Sequence, residues 1–166
     1  MKKFIYLFSL LSVVTFSSCS SDDDGAVAAN TGSITLDGKQ VTITSAVLED
    51  FGADTTHHNI DFTLSGSDGT TTTEVYLELF SPSDGTGFKP GTFNFVAGGT
   101  QPEAGTFYFS AAEVVVGDDP TIFATGGQVV VAGSGNTYNV AANLTLSNET
   151  TLTLNYSGAF AAFPGL

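Results

Sequence analysis

Thr137 to Phe160 reads TYNVAANLTLSNETTLTLNYSGAF. Tyr138, Val140, Ala142, Leu144 and Leu146 alternate with small or polar residues, and Leu152, Leu154 and Tyr156 resume the pattern after Ser147-Asn148-Glu149. Period two marks a strand with one buried face, and a connection this short makes a hairpin. A third run, around Ile122 to Val131, leads in through Gly133-Ser134-Gly135-Asn136. Three long strands in a meander place the chain among antiparallel β proteins.

The same alternation extends toward the N-terminus. Ile34 and Leu36 precede Asp37-Gly38, a pair favoured in tight primed turns, and Val41, Ile43, Ser45 and Val47 follow it. Ile60, Phe62 and Leu64 form an inward set with Asn59, Asp61 and Thr63 facing out; Val75, Leu77 and Leu79 are backed by Tyr76, Glu78 and Phe80. After a loop from Ser81 to Pro90, Gly91-Thr92-Phe93-Asn94-Phe95 and Gly105-Thr106-Phe107-Tyr108-Phe109 repeat one pattern, as two strands with phenylalanines on a shared face. Pro90 suits a strand start because it lacks a ladder donor, and Gly126-Gly127 inside a strand marks a bulge or a close backbone approach.

About nine antiparallel strands with no crossover helix imply one all-β domain. The expected form is a single jelly-roll-like antiparallel β-sandwich over residues 32–166, with a closed β-barrel of lipocalin-like type as the alternative. An outer-membrane barrel is disfavoured, since the outward positions are Thr, Asn, Asp and Ser where lipid would require an apolar band.

Ahead of the domain, Lys2 and Lys3 lead into an apolar run from Phe4 to Phe16 that ends in Ser17-Ser18. That is the pattern of a secretory signal over residues 1–18, shorter than the roughly 20 residues that span a bilayer. Cys19 is the only cysteine, which leaves neither a disulfide framework nor a thiolate metal site. Asp22, Asp23 and Asp24 follow Ser20 and Ser21, and a block of like charge stays extended. Residues 19–31 therefore read as a flexible acidic tether.

The full chain has a formal charge of −13, and loss of the two signal lysines takes it to −15. Only Lys39 and Lys89 then remain, with no arginine. Such a chain repels phosphate backbones and anionic membrane surfaces, so nucleic acid is not an expected partner.

Phe16-Ser17-Ser18-Cys19 resembles the lipobox of bacterial lipoproteins, in which the thiol receives a diacylglycerol and the new amino group is acylated. Several acyl chains on one residue anchor stably where one would not. Ser20 to Asp24 resembles the acidic tether that directs Bacteroidetes lipoproteins to the cell surface. Further stretches are similar to a family of uncharacterised Bacteroidetes surface lipoprotein domains: Leu36-Asp37-Gly38-Lys39, Ala46 to Gly52, Asn59 to Leu64, Val75 to Phe80, Lys89 to Phe93, Thr125 to Val129 and Tyr156 to Phe160. The resemblance spans nearly the whole domain and implies an outer-membrane address, lipid-anchored and facing the cell exterior. It assigns no catalytic residue.

Candidate sites are few. His57 and His58 are adjacent, so strand geometry points them to opposite faces and away from a shared metal; an exposed pair is expected, with Asp61 or Glu49 as a partner for one ring. Asp68-Gly69, Asp84-Gly85 and Asp118-Asp119-Pro120 put carboxylates in loops, where turn chemistry accounts for them and calcium is a weaker reading, best at Asp118 and Asp119. Tyr76, out of phase with Val75 and Leu77, is the expected exposed ring for a glycan contact. Asp54-Thr55-Thr56 resembles the Bacteroidetes O-glycan acceptor motif, with Thr55 as acceptor. The sequons at Asn143, Asn148 and Asn155 carry no weight in a bacterial lipoprotein. With no serine elbow, phosphate loop or zinc helix in the chain, the expected role is a non-enzymatic binding or accessory module for an unknown protein or glycan; the alternative is a glycan-capturing or glycan-active protein.

Overall fold

Asp37 and Gly38 have φ of 47° and 79°, the left-handed pair that a two-residue primed turn needs to match the twist of its strands. They join β1 (Thr31–Leu36) to β2 (Lys39–Ala53), placing Ile34 opposite Val41. The chain continues through β3 (His57–Ser67), β4 (Thr72–Pro82), β5 (Gly91–Phe95), β6 (Tyr108–Val116), β7 (Ile122–Ser134), β8 (Thr137–Leu146), β9 (Thr151–Ala159) and β10 (Ala161–Ala162). A computed structural model describes residues 30 to 163 apart from 99 and 101. The signal segment, Cys19 and the tether residues Ser20, Ser21, Asp22, Asp23 and Asp24 lie outside the described residues.

The strands follow one another around the sheet in the order β1-β9-β8-β7-β5-β6-β4-β3-β2, and β1 pairs again with β2. The sheet thus closes into a nine-stranded barrel, and the expected β-sandwich is corrected to the closed form. β2 explains the closure. Its 15 residues pair with β1 over their first part and with β10 over Val47 and Leu48, while register shifts at Ile43/Ser45 and Asp50/Gly52 bend it along β3. Full closure removes the exposed edges that an open sheet must manage.

Two pairings are parallel rather than antiparallel: β10 with β2, and β5 with β6, where Asn94 faces Tyr108 and Phe95 faces Phe109. β6 also runs on to Val116, well past the second phenylalanine piece. The expected bulge is present at Ala124/Gly126, and a Cβ on Gly127 would lie 2.2 Å from the Asn143 carbonyl oxygen.

The chain enters at Asn30, whose Oδ1 accepts a hydrogen bond from the Ala159 amide at 2.9 Å. This near end is filled with rings. Phe88, from the loop between β4 and β5, stacks on Phe93 at 5.6 Å, while Phe160 lies 4.7 Å from Phe62 and 4.9 Å from Tyr156. Lys89 clamps that loop through a 2.5 Å ion pair with Asp84, whose carboxyl is held at about 2 by the hydrogen bond from Lys89 and by those from Thr86. The far end carries the turns at 37–38, 68–71, 117–121 and 147–150, and its interior is aliphatic: Ile34, Leu64, Val75, Val114, Leu146 and Leu152.

Candidate functional site

The turns of the far end leave a pocket of about 490 Å3. Its floor is Ile34, Val41 and Thr73, all buried, with Leu36 and Val116 beside them; Lys39, Gln40, Asp68, Thr71 and Asp119 form the rim. Asp68 is an anion here at ordinary pH, because the Thr70 and Thr71 amides and the Thr70 hydroxyl bond to it and pull its carboxyl to about 2. Among the described residues the ion pairs are His58–Asp50 and Lys89–Asp84, and neither uses Lys39. The pocket therefore combines an apolar floor with one ammonium and two carboxylates at its mouth, a form suited to a small amphipathic ligand.

Asp119 thus belongs to the mouth, and with Asp118 also borders a shallower recess beside Thr70 and Gly117. Among the described residues no three carboxylate, histidine or thiol groups converge as a metal centre would need.

A second cluster covers the outside of β2, β3, β4 and β6. Register sets Glu49, Asp61 and Glu78 in one cross-strand row, and Tyr76 opposite Glu113. Asp61 faces outward yet is only 7% exposed. Tyr76 donates its hydroxyl to Asp61 Oδ2, and Asn59 Nδ2 donates to Oδ1 at 3.1 Å. Burial raises the Asp61 carboxyl above its ordinary value, against the lowering effect of those two bonds. Burial also raises Glu78, reinforced by the charges of Asp61 and Glu113 and opposed by a 3.1 Å bond from Ser110. Tyr76 is half-buried with its hydroxyl committed, and so is less available to a glycan than its position out of phase implied.

The histidines point to opposite faces, as strand geometry requires, but both are buried, at 5% and 6% exposure, where an exposed pair was expected. His58 turns inward and bonds Asp50 through Nε2 at 2.7 Å; Asp61 and Glu49 are not its partners. Glu49 neighbours Asp50 on β2 but shares the outward row of Asp61, whereas Asp50 lies opposite the inward Ile60, on the face that His58 shares. His57 packs edge-on to Tyr108 at 5.0 Å, and Tyr108 stacks on Phe80 at 4.7 Å. His57 Nδ1 meets the Thr56 hydroxyl at 3.0 Å while Nε2 is buried without a partner. Asp54 accepts from that same hydroxyl, so the carboxylate stands on the hydroxyl side and not behind the imidazole as a relay would need. Asp54 also accepts the Thr56 and His57 amides, holding a turn that leaves Thr55 exposed.

The remaining wall has the opposite character. β1, β9, β8, β7 and β5 contain no Asp, Glu, Lys, Arg or His, and they are contiguous around the barrel. Register aligns Ala132, Asn139, Ser157 and Thr31 in one outward row and Val130, Ala141, Asn155 and Ser33 in the next. These rows line a shallow trough of about 520 Å3. Sequence reading missed both the mouth and this division of charge, because the strands of each wall are not consecutive in the chain. No protein-family model, curated protein or solved structure matches this chain.

Proposed function

We propose that this protein is a lipid-anchored, non-enzymatic binding module, acylated at Cys19, held at the outer membrane and facing the cell exterior, with the far-end pocket as its ligand site. One observation carries the reading: the described chain enters beside Ala159, at the end of the barrel opposite the pocket. A tether leaving from Asn30 directs the ring-filled end toward the membrane and the open end away from it. The acidic surface acts in the same sense, since anionic headgroups repel it.

Mass spectrometry of the membrane fraction tests the anchor: a chain beginning at acylated Cys19 is expected, and a Cys19→Ser variant should leave that fraction. Unmodified Cys19 in a membrane-bound chain that retains residues 1–18 would refute it. For the pocket, the Thr71→Trp variant places a ring across the mouth. A small-molecule library screened by ligand-observed NMR against the full chain should give hits that Thr71→Trp abolishes; hits that survive the substitution would remove the pocket from the reading.

A further inference from the structure

We infer that the charge-free wall of β1, β9, β8, β7 and β5 is a docking face for an extended, uncharged glycan strand. This rests on the binding-module reading but assigns a second site, separate from the far-end pocket. A chain of formal charge −13 keeps every Asp, Glu, Lys, Arg and His off five contiguous strands. A nucleic acid or an acidic polysaccharide is repelled by the molecule as a whole, and a cationic partner is drawn to the opposite wall, where Glu49, Asp61, Glu78 and Glu113 lie. A neutral, hydroxyl-rich chain meets neither obstacle.

The wall's chemistry fits that occupant. Asn139 and Asn155 stand exposed on adjacent strands in neighbouring rows, each offering a donor and an acceptor, with the Ser157 and Ser33 hydroxyls opposite them across the ladder. Ala132 and Ala141 keep the trough low enough for a chain to lie along it. Gly32 contributes too: a Cβ there would lie 2.9 Å from the Tyr156 ring and 2.6 Å from the Asn155 carbonyl, so its absence lets β1 sit close against β9. A second copy of the protein fits less well. Self-association needs an apolar centre, and among the described residues the wall's two exposed large apolar side chains, Val130 at 41% in the trough and Phe123 at 53% at the far end of β7, stand apart with six residues between them.

Among the described residues no aromatic ring protrudes into the trough, so recognition by hydrogen bonds alone is weak per sugar and gains strength from a repeating chain. Affinity electrophoresis of the full chain in a non-ionic detergent suits this regime, with dextran, laminarin and galactomannan as neutral probes and polygalacturonate as the acidic one. Mobility relative to a gel without polysaccharide should fall in at least one neutral gel and stay unchanged in polygalacturonate. The double variant Asn139→Asp/Asn155→Asp, isosteric and on exposed positions, should weaken apparent affinity about tenfold or more. Thr71→Trp should leave the retardation intact.

No retardation by any neutral probe overturns the inference, as does retardation that the double variant keeps. Loss in Thr71→Trp alone assigns the glycan to the far-end pocket: the wall inference then fails while the binding-module reading stands. A wild-type dimer in sedimentation that the double variant dissociates makes the wall a self-association face and equally overturns it.

Discussion

Asp61 combines an outward-facing position on β3 with almost complete burial, under Tyr76 and Asn59. Its raised carboxyl makes the charged form a cost to the folded state at neutral pH, a cost that disappears as pH falls through the folded value. The Tyr76 hydroxyl offsets part of that cost. Tyr76→Phe should therefore destabilise the protein by about 1–3 kcal/mol at pH 7, and by less at pH 4, where Asp61 is increasingly protonated. Urea unfolding at the two pH values checks this, and an equal loss at both would contradict it. The outward parity of Asp61 is legible in the sequence; its burial is not, because the ring that covers it comes from β4.

At the scale of elements, the Gly126-Gly127 pair shows what a two-residue signal can and cannot say. The expectation of a bulge holds, but the two glycines are not equivalent. Gly127 has φ of 120° and no room for a Cβ, whereas a Cβ on Gly126 would meet open space. Gly127→Ala should cost roughly 1–3 kcal/mol through backbone strain and the clash with β8, while Gly126→Ala should be near neutral. Thermal unfolding of the two variants side by side measures the difference, and comparable losses would show that the bulge tolerates a side chain at either position. β6 teaches a related lesson. A register shift opposite Glu78/Leu79 leaves Ser110 unpaired, so the alternation that identifies strands changes phase between Phe109 and the rest of the strand, Ala111 to Val116.

For the whole molecule, ionisation sets a stability profile with an interior maximum. Asp61 and Glu78 are raised above 3.8 and 4.5, so stability should rise as pH falls from 7 through their folded values. Asp68 and Asp84 are held at about 2, so their contribution is present above 3.8 and is lost as pH falls through the lower value. The maximum is expected at roughly pH 4–5. Salt should act in the same direction at pH 7: raising ionic strength to about 0.15 M screens the acidic wall and should lift the melting temperature by about 2–4 °C. The increment should be smaller at the pH maximum, where fewer carboxylates repel. Calorimetry over pH and salt tests both, and a melting temperature that falls steadily from pH 7 to 4 would contradict the assignment of Asp61 and Glu78.

Local information was enough for most of the strand inventory, the later part of β6 and the short β10 excepted. Period-two alternation located the inward sets Ile34, Ile60 to Leu64, Val75 to Leu79 and the C-terminal meander, and Asp37-Gly38 specified its turn, because side-chain direction and turn dihedrals depend on neighbouring residues alone. Alternation says that one face is buried and is silent on what buries it, so the expected sandwich gives way to the barrel only through the pairing of β1 with both β9 and β2. The far-end pocket, the His58–Asp50 pair and the separation of an acidic wall from a neutral one were likewise decided only in three dimensions. Each depends on which distant strands become neighbours, and cross-strand register has no counterpart in the linear order of residues.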